Sequence, residues 1–93
     1  PGHREFLKNM VGGASRADAA VLVVDVEEGL KTQFQRQVAV MGLLGIPKII
    51  VLLNKMDLVD WSETEFRKRE RQIEALFAQT GLRTPQVIPA GAW

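Results

Sequence analysis

Asn54-Lys55-Met56-Asp57 places an amide, an ammonium and a carboxylate directly behind an aliphatic run, residues 48–53 (KIIVLL). A carboxylate at Asp57 can accept two parallel hydrogen bonds, from N1–H and the exocyclic 2-amino group of guanine. Adenine offers a lone pair at N1 and no 2-amino group, so the same carboxylate would repel it. An acceptor left unpaired in that way is what makes a polar site selective. The aliphatic stem of Lys55 can lie over a flat base while its ammonium stays in water. Asn54 carries both donor and acceptor groups, enough to meet a base edge and brace its own loop. The plain alternative is a polar loop that merely follows a strand.

Other residues invite the plainer reading. Asp25 ends an apolar run and reads as a loop cap rather than a metal ligand. Arg67-Lys68-Arg69-Glu70-Arg71 is a mixed-charge helical stretch, which predicts a solvated face. Glu27-Glu28-Gly29 and Ala90-Gly91-Ala92 read as turns, and neither Trp61 nor Trp93 sits in a base-stacking pattern.

The elements that must position these groups alternate. Phe6, Leu7, Met10 and Val11 share one face of a helix that Gly12-Gly13 ends. Residues 19–25 (AAVLVVD) form a continuous apolar run, which predicts a strand buried on both faces. Thr32 with Gln35 reads as a capping box opening a helix with Phe34, Val38, Met41 and Leu44 inward, stopped by Gly45 and Pro47. Residues 48–53 make a second strand. Ser62 with Glu65 reads as another capping box, before a helix with Phe66, Ile73, Leu76 and Phe77 inward and Gly81 at its end. Residues 86–89 make a third, short strand. Such alternation predicts an α/β fold with a parallel sheet and right-handed crossovers. Ligands of these sheets sit beyond the carboxyl ends of the strands, which puts the loops after Leu53 and Pro89 at one edge.

Bulk properties narrow the function classes. With 93 residues the chain is one small domain or part of one. Its apolar runs are too short to span a bilayer, and no charged stretch precedes an apolar segment as in a secretion signal. Cysteine is absent, which excludes disulfides and thiolate metal sites and suits a reducing cytoplasm. A net charge of +1 gives no electrostatic case for direct DNA or membrane binding. The chain begins at Pro1 without Met and stops at Trp93 just past a strand, so both ends read as cuts.

Asn54-Lys55-x-Asp57, with Pro1-Gly2-His3 and Lys8-Asn9-Met10 upstream, resembles the G domain of the translation-factor GTPases, across essentially the whole chain. Residues 43–46 (LLGI), Leu58-Val59-Asp60, Ser62-Glu63 and Phe66 look most similar to the GTPase subunit of sulfate adenylyltransferase. The resemblance implies a three-layer P-loop NTPase fold, of which residues 1–93 would be the C-terminal part, from the second switch to the last guanine-contacting loop. It implies GTP and GDP as ligands and GTP hydrolysis as the reaction. On this resemblance Gly2 gives a backbone N–H to the γ-phosphate, and His3 orients the attacking water, since phosphoryl transfer needs mainly positioning. The helix after His3 corresponds to the mobile switch. Ala92 contributes a backbone N–H to guanine O6. Gly91 stands where the family has serine, which removes a hydroxyl brace and adds flexibility. By itself, His3 would read as polar surface.

No stretch matches Gly-x-x-x-x-Gly-Lys-[Ser/Thr], so the phosphate loop and the magnesium ligands are expected outside this chain. The implied partner is the catalytic subunit of sulfate adenylyltransferase, or alternatively the ribosome and aminoacyl-tRNA; a non-hydrolysing interaction module is the remaining option. The family's strand order would put all helices here on one face of the sheet. The bare opposite face then predicts marginal stability and aggregation of the segment alone.

Overall fold

The computed structural model describes residues 19–92. Their order is β1 (Ala20–Asp25), α1 (Thr32–Leu44), β2 (Ile49–Asn54), a 3-10 turn (Met56–Val59), α2 (Glu63–Gln79) and β3 (Gln86–Pro89). The strands form one parallel sheet in the order β1-β2-β3. Asp25 stands opposite Asn54, and Leu53 opposite Pro89, so all three strands end at the same edge. The predicted helix around Phe6 to Val11 lies outside the described residues.

Register and pleat explain the core. Leu22, Val51 and Val87 form one row across the sheet, and Val24, Leu53 and Pro89 the next. Phe34, Val38 and Met41 of α1 and Phe66, Ile73 and Phe77 of α2 join the buried members of these rows in a single cluster. Both helices therefore cover the same face. Each fully buried large side chain contributes about 1.5–3 kcal/mol relative to exposure.

The opposite face behaves differently. Val21 and Val23 keep 43% and 49% of their surface, and Ile50, Leu52 and Ile88 are half-buried. The expectation that β1 is buried on both faces is therefore corrected for this part of the molecule. Its apolar run is continuous, yet only the even-numbered positions reach the core. The described residues supply two layers, a parallel sheet and the helices on one of its faces, in an α/β arrangement.

Helix ends correct two further expectations. Lys31, not Thr32, is the N-cap of α1, and no side chain caps that end. Thr32 is already helical, and Gln35 instead donates its side-chain amide to the Leu30 carbonyl at 3.0 Å. Leu44 lies outside the buried face with 38% exposure, at the last turn before Gly45 closes the helix in a left-handed conformation. For α2 the sequence reading holds in part: Ser62 Oγ accepts from the Glu65 N–H at 3.2 Å.

Candidate functional site at the carboxyl edge of the sheet

Strand β2 runs out into a sharply shaped loop. Lys55 takes up a left-handed backbone (φ 65°), uncommon for a residue with a side chain and costly unless its surroundings enforce it. They do so through backbone hydrogen bonds. Leu58 N–H donates to the Lys55 carbonyl at 3.0 Å, and Trp61 N–H donates to the Met56 carbonyl at 2.8 Å. Met56 is buried in the core and anchors the loop. Trp61, also left-handed, packs against the same cluster.

A second loop is zipped alongside. Ala90 N–H donates to the Leu53 carbonyl at 2.9 Å, and Met56 N–H donates to the Ala90 carbonyl at 3.0 Å. The β2–β3 ladder thus continues past the strands and brings residues 90–92 beside residues 55–57. Ala92 N–H then donates to Asp57 Oδ1 at 3.1 Å. The Asp57 carboxylate and the Ala92 amide, for which the resemblance implies neighbouring atoms of a guanine edge, meet at one point.

Gly91 stands directly against that meeting point. A Cβ built there would lie 2.6 Å from Asp57 Oδ1 and 3.1 Å from the backbone nitrogens of Met56 and Asp57. A methyl there would displace the Asp57 carboxylate and press on the backbone of the neighbouring loop. The Ala90-Gly91-Ala92 segment is therefore more than the plain turn its composition suggests. Asn54, Lys55, Asp57, Leu58, Gly91 and Ala92 line a hollow of about 460 Å³. The Asn54 side-chain amide makes no hydrogen bond to the described residues, while its backbone carbonyl accepts from Val26 N–H at 2.9 Å.

Two interactions here were invisible in the sequence. Lys55 Nζ lies 3.0 Å from Asp25 Oδ2, joining the ends of β2 and β1. Asp25 also caps its loop as expected, its Oδ1 accepting from Glu27 N–H at 2.8 Å. Burial would push the Asp25 carboxyl up, but the Lys55 ammonium and the N–H groups of Glu27 and Glu28 outweigh it. Asp25 therefore titrates below the ordinary 3.8. Lys55 is raised because Asp25 accepts from its ammonium and attracts it. The second is Arg69, expected on a solvated face. Its Nε donates to the Val26 carbonyl at 2.7 Å and Nη2 to the Glu27 carbonyl at 3.1 Å. Arg67 does follow the sequence reading, pairing with Glu63 and Glu70 along its own helix.

Gly2 and His3 lie outside the described residues. Among the described residues no cluster of three histidine, cysteine or acidic side chains could hold a metal ion. None of the described helices is long and apolar enough to cross a membrane.

Residues 1–93 match the family model of the elongation factor Tu GTP binding domain. The chain belongs to that family. Over all 93 residues it is 45% identical to elongation factor 1-alpha of Thermococcus onnurineus. It is 46% identical to the elongation factors 1-alpha of Pyrococcus horikoshii and Pyrococcus abyssi, also over its whole length. The chain spans 22% of the length of each of these relatives. The meeting of Asp57 and Ala92 lies at the carboxyl edge of the sheet, where base recognition is expected from the sequence.

Proposed function

We propose that this chain is the guanine-recognising part of a cytoplasmic GTPase of translation elongation, which binds GTP, hydrolyses it and changes conformation. One observation carries the reading: the Asp57 carboxylate and the Ala92 N–H converge within 3.1 Å at the carboxyl edge of the sheet. Guanine presents O6, N1–H and the 2-amino group side by side. An amide donor next to a two-oxygen acceptor complements that edge, and the hydrogen bond between Ala92 and Asp57 is exchanged for bonds to the base.

In this reading Asp57 accepts from N1–H and the 2-amino group, and Ala92 donates to O6. Lys55 covers the ring, Asn54 meets the base edge, and Gly91 lets the two loops close on one another. Gly2 senses the γ-phosphate and His3 orients the attacking water. The phosphate cradle and the magnesium ligands come from outside the chain. Magnesium would neutralise charge building on the phosphates. The ribosome and aminoacyl-tRNA are the proposed partners.

The names of the relatives favour elongation over the sulfate adenylyltransferase pairing that residues 43–46 and 58–66 suggest from sequence. The test is multiple-turnover GTP hydrolysis by the full-length protein, with and without ribosomes. Ribosome-stimulated turnover that His3→Ala abolishes is expected. Tight GDP binding without any His3-dependent turnover would instead mark a non-hydrolysing interaction module.

A further inference from the structure

Lys55 is anchored at its far end as well as at its backbone. Its ammonium lies 3.0 Å from Asp25 Oδ2, while the lysine side chain keeps 54% of its surface and the aspartate only 16%. The other aspartate oxygen is also committed, accepting from Glu27 N–H at 2.8 Å and Glu28 N–H at 3.3 Å. Behind that loop stands Arg69, whose guanidinium donates to the carbonyls of Val26 and Glu27. Gly29, left-handed at φ 74°, lies beneath it, and a Cβ there would run into Nη1. The contacts form one path, from α2 through the loop after β1 to Asp25 and on to Lys55.

We infer that Asp25 is a positioning residue for Lys55, held in turn by Arg69, and that it stretches the lysine stem across the base-binding hollow before nucleotide arrives. This rests on the guanine-nucleotide reading above. Lys55 and Asn54 line both the hollow of about 460 Å³ and a neighbouring one of about 340 Å³ that contains Asp25. A lysine tethered to Asp25 therefore forms a bar between the two. An unanchored lysine samples many rotamers, and ordering it on binding opposes affinity. Tethering removes part of that opposition and leaves the methylene stem as a ready apolar cover.

Asp25→Asn separates this role from loop capping, because the asparagine oxygen still accepts from Glu27 and Glu28 while the ionic partner of Lys55 is lost. The experiment measures GDP affinity of the full-length protein as wild type, Asp25→Asn, Lys55→Met and the double variant. Arg69→Met is measured in the same two backgrounds. The expected result is a weakening of about three- to fivefold by Asp25→Asn, and in the same direction by Arg69→Met, where Lys55 is present. Neither substitution should change affinity in the Lys55→Met background. Equal weakening in both backgrounds, or none in wild type, overturns the inference and leaves the proposed function standing. A wild-type protein that binds no GDP overturns both.

Discussion

The two ends of the sheet each carry a hollow, and they are built on different principles. At the amino edge, Ile46, Pro47, Lys48, Leu82, Arg83 and Thr84 help line a space of about 260 Å³ between loops that lead separately into β2 and β3. Its charges are exposed, and no described hydrogen bond runs from one loop to the other across it. At the carboxyl edge the loops are cross-bonded, Met56 to Ala90 and Ala92 to Asp57, and Lys55 is held in a left-handed backbone. Space at a sheet edge is therefore common, whereas convergence of backbone and side-chain polar groups is what distinguishes a site. Perturbing the two edges should have correspondingly unequal consequences.

The largest effect belongs to Asp57. Asp57→Asn exchanges an acceptor for a donor, so GDP affinity of the full-length protein should fall on the order of a thousandfold while xanthine nucleotide becomes the better ligand. Competition binding with GDP and XDP checks this, and unchanged guanine preference would erase the contrast between the edges.

Gly91 comes next. Gly91→Ala forces a methyl against Asp57 Oδ1 and two backbone nitrogens, which should weaken GDP binding about tenfold. The flexibility argument from sequence predicts the reverse, a gain from alanine or serine. Isothermal titration of both variants decides between crowding and looseness.

A smaller effect concerns pH. Asp25 is lowered in the folded protein, so its contribution to stability is present above the ordinary 3.8 and is lost as pH falls through the folded value. Lys55 is raised, so its contribution is present below the ordinary 10.5 and is lost as pH rises through the folded value. Urea midpoints of the full-length protein should therefore carry an acid and an alkaline decline that Asp25→Asn reduces, with a flat region around neutrality. The smallest effect is predicted for the amino edge. Lys48→Ala and Arg83→Ala should each leave GDP affinity within about twofold in the same titration, as for exposed charges away from a ligand.

The carboxyl edge also marks where sequence reading succeeded and where it stopped. Strand runs and turn residues were legible because hydrophobic burial and left-handed glycine leave local patterns, as at residues 49–54 and Gly45. Asn54-Lys55-x-Asp57 was legible because its chemistry is concentrated within one loop. Lys55 with Asp25, and Arg69 with Val26, join residues far apart in the chain, and no periodicity announces such pairs. Gly91 shows in the sequence only as a departure from serine, because the Asp57 carboxylate beside it is distant along the chain. Thr32 misled for a related reason: a capping residue and a first-turn residue share the same composition, and only backbone geometry separates them. The run at residues 20–25 is apolar at every interior position, and alternate residues point away from the helices.

One titration bears on the central claim more directly than any variant. The full-length wild-type protein is titrated with GDP and with ADP under identical salt and magnesium. A carboxylate reading N1–H and the 2-amino group, beside an amide reading O6, should hold GDP on the order of a thousandfold more tightly. Equal affinity for the two nucleotides would contradict it, and the meeting of Asp57 with Ala92 would then be loop structure alone.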